Sequence, residues 1–314
     1  MHQNPLLVIL GPTASGKTKL AVRLAETLNG EIISADSRQI FKGMDIGTGK
    51  DLNEYVINGK TIPYHLIDHK QAGERYNVNE FKEDFYAVYT KLIAKQVLPI
   101  LCGGTGMYVH SILQNHEYTA IPVNHELRDV LKELDLELLR SRLSGYPSEF
   151  TKQADQSSHK RMIRAIEIAE YLAHNDLQII ERPKITPLVI GLTSDVELRR
   201  QKVINRLELR FKEGMIEEVK RLLDEGVTKE DLIFYGLEYR FIAAHLFDEL
   251  GYPELKEKLA IAICQFAKRQ MTFFRKMEKD GVKINWFNTV LNSDELFDEV
   301  LAVYKSYGMQ FVNV

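Results

Sequence analysis

The chain has 314 residues, enough for about two domains, and its 45% hydrophobic and 27% charged residues are the ordinary balance of a globular protein. A net charge of −3 excludes a global electrostatic pull toward nucleic acid, so any basic surface must be local. Two isolated cysteines, Cys102 and Cys264, exclude a cysteine-rich zinc module, and neither a membrane span nor a signal peptide is legible, so a cytoplasmic protein with no membrane partner is expected.

The apolar run Leu6–Leu10 reads as a buried strand. It leads into Gly11-Pro12-Thr13-Ala14-Ser15-Gly16-Lys17-Thr18, which fits G-x-x-x-x-G-K-[ST], the P-loop pattern. Leu20, Ala21, Leu24, Ala25 and Leu28 then recur at helical spacing, and Gly30 closes the helix. Strand, glycine loop and helix are the order a phosphate site needs. The loop's backbone N–H groups and the helix N-terminus face an anion, Lys17 adds a full charge, and the Thr18 hydroxyl can ligate Mg²⁺. Ile32 and Ile33 predict a second strand, with Asp36 at or just past its end. Residues 43–60 read as loop, Tyr64–Asp68 as a third strand ending in an acid, and Phe81 to Ile93 as a helix. Val97–Leu101 is a fourth strand, and Gly103-Gly104-Thr105-Gly106 turns it into a helix from about Tyr108. From Glu126 to about Asn175 no strand-like run occurs. Pro187–Leu192 is a fifth strand, followed by helical patterns at Val196–Phe211, Met215–Leu223, Tyr239–Leu250 and Leu255–Met277. Ile284–Phe287 reads as a last short strand before a closing helix near Asp294–Tyr307. The expected fold is α/β, a P-loop NTPase-like parallel sheet wrapped by helices. The core spans 1–121 and 184–314 with C-terminal helices, and an all-helical insertion spans 122–183.

Asp36 and Thr105 both fall on the strand-end edge where ligands bind in open α/β sheets. Asp36 can ligate Mg²⁺, act as a general base or simply cap a turn. Thr105 can hydrogen-bond a substrate or its own backbone. Cys102 reads as a small core residue, and Leu66-Ile67-Asp68 as a weak match to a metal-binding acid at a strand end. Arg161 and Arg164 share a helical face beside Lys160, and Arg206 and Arg210 share another. The stretch 256–283 carries a local +5, with Lys268, Thr272 and Arg275 on one stripe and Phe266, Phe273 and Phe274 interleaved. That pattern suits a nucleic-acid backbone or a charged helix whose aromatics face the core.

These motifs, in this order, resemble the tRNA dimethylallyltransferases, also called tRNA isopentenyltransferases, of bacterial type. Gly11–Thr18, Ser34–Gln39 running into Lys42–Thr48, His65–Asp68, Gly103–Gly106, Glu126–Arg128, Arg161–Ala165 and Lys268–Thr272 carry the resemblance. It implies transfer of a dimethylallyl group from dimethylallyl diphosphate to N6 of the adenosine immediately 3′ of the anticodon, with no phosphoryl transfer. It implies that Asp36 is the general base, that Thr105 holds the amine, and that Lys17 belongs to the catalytic set. The diphosphate would lie on Gly11, Pro12, Thr13, Ala14, Ser15, Gly16, Lys17, Thr18 and Arg210, with Mg²⁺ on Thr18. The tRNA anticodon stem-loop would be met by Asp36, Ser37, Arg38, Gln39 and Thr105, by Arg128, Lys160, Arg161 and Arg164, by Tyr239 and Arg240, and by Lys268, Arg269, Gln270, Thr272 and Arg275. The insertion would clamp that stem-loop, and a monomer is expected. Gly49, Ser158 and Glu238 depart from the family pattern, where Ala, Asp and Gly are usual. The rival readings are an adenylate isopentenyltransferase acting on free nucleotide, a P-loop small-molecule kinase, and a non-catalytic RNA-binding protein on the same fold. The intact Lys17, Thr18, Asp36 and Thr105 speak against the last.

Overall fold

The computed structural model describes residues 4–308 apart from Asn115, Gln153, Ile179 and Leu291. It divides into two compact units, one of Met1–Gln114 with Pro183–Val314 and one of Asn115–Arg182.

The larger unit is built on strands β1 (Pro5–Leu10), β2 (Gly30–Ser34), a hairpin of β3 (Val56–Ile57) and β4 (Lys60–Thr61), β5 (Tyr64–His65), β6 (Leu98–Gly103), β7 (Thr186–Thr193) and β8 (Ile284–Asn288). Six of them form one sheet in the order β5-β2-β6-β1-β7-β8, with every pairing parallel. Parallel strands need crossovers, and the helices that supply them cover both faces. Side chains alternate accordingly: Leu6, Val8 and Leu10 of β1 enter one buried cluster, and Leu7 and Ile9 enter another. Helix α1 (Lys17–Leu28) lies on the second side. α2 (Val78–Ala94) and α3 (Gly106–Leu113) lie on the first.

The smaller unit holds α4 (His125–Lys132), α5 (Leu136–Ser144), α6 (Ser148–Thr151) and α7 (His159–His174), and no strand occurs among its described residues. Its own core gathers Leu131, Leu139, Leu143, Met162, Ile166 and Ala169. The expected start of this segment is residue 122. The structure starts it seven residues earlier, because Arg164 of α7 donates to the carbonyls of Tyr118 and Ile121 and draws 117–121 onto it.

The larger unit then continues with α8 (Val196–Lys212), α9 (Met215–Asp224), α10 (Lys229–Tyr235), α11 (Leu237–Leu246), α12 (Tyr252–Lys279) and α13 (Ser293–Tyr307). The architecture is the expected P-loop NTPase-like α/β core, and it differs in detail. The first helix is closed by Asn29 in the left-handed region, and Gly30, expected to close it, opens β2. The expected third strand stops at His65, because Leu66 and Asp68 adopt positive φ and turn the chain. Asp68 then pairs with the buried Lys50, which also binds Asp45 and the Phe41 carbonyl, so that acid serves a structural cluster. The loop 43–60 contains a short 3₁₀ turn (Leu52–Tyr55) and the Asn58-Gly59 hairpin, whose two central residues both have φ > 0. The helix after β6 starts at Gly106, two residues before the expected point. Finally, α10 separates the expected helices 215–223 and 239–250. It is announced by the Thr228 and Asp231 capping box, a signal the apolar periodicity does not contain. No helix among the described residues is long and apolar enough to cross a membrane.

Candidate active site

Strands β2, β6 and β1 are neighbours, so the three segments leaving their C-terminal ends meet at one edge. These are the Asp36 turn, the Gly103–Gly106 turn and the Gly11–Thr18 loop. The first two are stitched by backbone: Ala35 N–H donates to Cys102 O (2.8 Å) and Thr105 N–H to Ala35 O (3.1 Å). A Cβ on Gly103 would lie 2.2 Å from the Ala35 carbonyl oxygen, so only glycine permits this approach. The Thr105 hydroxyl accepts from Ser37 N–H at 3.0 Å, which sets it beside the Asp36 turn. Asp36 Oδ1 accepts from the N–H groups of Arg38 (2.9 Å) and Gln39 (3.4 Å). The capping role weighed for Asp36 is therefore present. It uses one carboxylate oxygen.

Gln270 ties the third segment in. Its Oε1 accepts from Thr13 N–H and its Nε2 donates to Gly104 O, both at 2.9 Å. A buried glutamine on α12 thus holds the phosphate loop and the Gly-Gly-Thr-Gly turn at a set distance. Nothing in the sequence pattern announced that bridge.

These segments line a cavity of about 410 Å³. Thr13–Thr18, Asp36–Gln39, Thr105, Arg210, Tyr239, Arg240, Arg269 and Gln270 all reach it. Gly11 and Pro12 form the buried start of the loop outside the lining. Ser15 Oγ is buried without a hydrogen-bond partner among the described residues. Desolvation lowers the Lys17 pKa, while Cys102 and Asp36 pull it back up. Desolvation likewise lowers Arg210 and Arg38. Burial pushes the Cys102 thiol up to about 12, consistent with a packing role and not a nucleophile. Two carboxylates that periodicity gave no reason to single out also face the cavity. Glu54 and Glu238 are both held above the usual carboxylate range by burial.

Several residues that the resemblance assigns to RNA have their polar groups engaged inside the protein. Tyr239 is buried, and its hydroxyl donates to Glu218 Oε1 at 2.9 Å. Arg128 makes a two-pronged contact with the buried Glu167 at 2.9 and 2.7 Å, and Arg164 adds a longer one at 3.5 Å besides its carbonyl partners. For these three, and for Gln270, which the resemblance also assigns to RNA and whose amide is engaged with Thr13 and Gly104, burial of polar groups demands internal partners, and the structure supplies them. Lys160, Arg161, Arg240, Lys268, Arg269, Thr272 and Arg275 are exposed. The local +5 of 256–283 is divided by α12 itself. Ile263, Ala267, Met271 and Phe274 face the core, and the basic residues of the stripe face outward.

A family model described as IPP transferase matches residues 39–277. The chain is 49% identical over 303 residues to tRNA dimethylallyltransferase 2 of Porphyromonas gingivalis, covering 96% of this chain and 100% of that one. It is 49% identical over 307 residues to tRNA dimethylallyltransferase 2 of Bacteroides fragilis, covering 98% and 100%. Among solved structures, the full-length tRNA isopentenylpyrophosphate transferase of Bacillus halodurans superposes with a TM-score of 0.70 at 29% identity over 96% of each chain. A eukaryotic dimethylallyltransferase acting on tRNA superposes with a TM-score of 0.77 over 97% of this chain and 79% of that one. At 21% identity that last likeness is one of fold. A match along most of the chain, together with relatives near half identity over nearly all of it, shows that this chain belongs to the IPP transferase family.

Proposed function

We propose that the protein transfers a dimethylallyl group from dimethylallyl diphosphate to N6 of the adenosine immediately 3′ of the anticodon in tRNA, releasing diphosphate. The observation that carries this reading is the meeting of an anion-binding loop, a carboxylate and a hydroxyl around one cavity. The near-full-length relatives named tRNA dimethylallyltransferase favour tRNA over a free nucleotide and prenyl transfer over kinase chemistry.

In this reading the exocyclic amine is a weak nucleophile, and Asp36 removes its proton as the bond from N6 to the allylic carbon forms. Thr105 orients the amine. The bond between that carbon and the diphosphate oxygen breaks as positive charge spreads over the allyl group. The loop N–H groups, Lys17 and Arg210 stabilise the charge growing on the leaving diphosphate, which in a desolvated cavity counts for more than in water. Ser15, Thr18 and Asp36 line the cavity with hydroxyl and carboxylate oxygens, a donor set suited to a hard cation. Bound there through Thr18 and the diphosphate oxygens, Mg²⁺ would supply further neutralisation of the leaving group. Extraction of the target base costs about a few kcal/mol, which backbone contacts can offset. Lys160 and Arg161 on the smaller unit and Arg240, Lys268, Arg269, Thr272 and Arg275 on the larger are the exposed candidates for them. The reading includes a monomer acting in the cytoplasm, with the smaller unit gripping the anticodon stem-loop.

The test offers labelled dimethylallyl diphosphate or ATP as donor and bulk tRNA or AMP as acceptor. Label is expected in tRNA from the prenyl donor only. Label in AMP, or transfer from ATP, replaces this reading with one of its rivals.

A further inference from the structure

Arg210 is held on several sides. Its Nη1 lies 3.7 Å from Glu238 Oε1, a distance for an ion pair without a hydrogen bond, and the two side chains are only 12% and 21% exposed. On another side the guanidinium rests on bare backbone: a Cβ on Gly49 would lie 1.6 Å from Arg210 Nη2. Arg206, one helical turn earlier, comes within 3.2 Å of that same point and carries its own partner, Asp51. Two guanidinium groups this close repel each other, and Arg210, the more buried of the two, has the less water to screen that repulsion; each has a carboxylate partner. Asp51 serves Arg206, and Glu238 serves Arg210.

Glu238 also lines the cavity, at the N-terminal end of α11. A diphosphate bound against Arg210 would therefore face the carboxylate that Arg210 had been facing. The groups around Glu238 are Arg206 and Arg210 from α8, Asp36 and Arg38 from the turn after β2, and Tyr235 and Tyr239 flanking it on α10 and α11. Further round the wall come Lys17, Glu54, Arg240 and Arg269. Glu238 is the acid among them paired with Arg210.

We infer that Glu238 is a positioning residue that holds Arg210 for the diphosphate and yields it when the donor binds, so that diphosphate binding is coupled to uptake of a proton at Glu238. This rests on the proposed diphosphate site. Burial already raises the Glu238 pKa, and Arg210 opposes that rise. Once Arg210 turns to an anion, the opposing charge is neutralised and a second negative group stands opposite, so the carboxylate takes a proton more readily. The sign follows: proton uptake accompanies binding, and affinity for diphosphate rises as pH falls.

The experiment is calorimetric titration of the full-length protein with inorganic diphosphate at constant Mg²⁺, over about pH 6–8, in two buffers of different ionisation enthalpy. Diphosphate titrates in its own right, so the comparison is between wild type and Glu238→Gln. Wild type is expected to take up more protons on binding and to lose affinity more steeply as pH rises. Glu238→Gln is expected to bind about tenfold tighter at the alkaline end, where the wild-type carboxylate keeps its charge and opposes the anion. Glu238→Gly, which deletes the side chain, should match Glu238→Gln and serves if that variant misfolds. Glu238→Asp, which keeps the charge, should restore the steep pH dependence. Equal proton counts and affinities, or weaker binding by both charge-free variants, overturn the inference while leaving the diphosphate site intact. Failure of the folded wild type to bind diphosphate overturns it together with the proposed function.

Discussion

Asp36→Asn separates the turn contacts that Asp36 makes from the base role proposed for it. Asp36 Oδ1 accepts from the N–H groups of Arg38 and Gln39 and so shapes the turn beside Thr105. Losing a contact of this kind costs about 0.5–2 kcal/mol. Asparagine keeps an oxygen in the same place, so the turn survives, and the expected stability change is below about 1 kcal/mol. That corresponds to a melting shift of at most about 2–4 °C for a chain of this size. What asparagine lacks is a basic oxygen to receive the amine proton. The expected loss in turnover is roughly 10²–10⁴-fold, or about 3–5 kcal/mol of transition-state stabilisation. Asp36→Ala should show the same loss of turnover together with the missing turn contacts. The assay is single-turnover transfer from labelled dimethylallyl diphosphate to bulk tRNA across a Mg²⁺ titration, with thermal unfolding in parallel. Wild-type turnover in folded Asp36→Asn refutes the base role, and recovery at high Mg²⁺ assigns the carboxylate to the metal instead.

Lys17 is desolvated, so Lys17→Ala should leave the melting temperature unchanged or raised. It should weaken diphosphate binding about 10–100-fold, the worth of a charged hydrogen bond, and unchanged calorimetric affinity would contradict the loop's role. Glu218 is buried and accepts from the N–H groups of Asp45, Ile46 and Gly47 and from the Tyr239 hydroxyl. Glu218→Gln should destabilise the larger unit by about 3–5 kcal/mol, and an unmoved urea midpoint counts against that network. Arg164→Ala should lower stability by about 1–3 kcal/mol through its orphaned carbonyl and Glu167 partners, and leave the salt dependence of tRNA binding as in wild type. Lys268→Ala should leave stability alone and reduce the log-affinity against log-salt slope by about 0.7–0.9. A slope flattened by Arg164→Ala would return that residue to the RNA surface.

The phosphate loop, the alternating strands and helices and the strand-end position of Asp36 were legible in the sequence because each rests on local pattern. A glycine loop between an apolar run and an amphipathic helix has few alternatives, and the four most buried strands, β1, β2, β6 and β7, read as apolar runs. The family itself was legible because its motifs keep their order along the chain. The boundary at 115, the α10 helix and the internal partners of Arg128, Arg164 and Tyr239 were not. An arginine looks the same in sequence whether it faces RNA or turns inward, since only the packing of α7 on 117–128 brings Arg128 to Glu167 and Arg164 to the carbonyls of Tyr118 and Ile121. Tertiary structure alone decided the site's interior. The strand order β2-β6-β1 brings Asp36, Thr105 and Lys17 to one edge, although 69 positions separate Asp36 from Thr105. Gln270 of α12, itself more than 250 residues beyond the loop, sets the spacing between two of the three segments. Glu238 meets Arg210 only because α8 and α11 converge there. Side-chain partners so far apart leave no periodic trace. Periodicity reports which face of an element is buried, while the identity of what buries it is a property of the assembled fold.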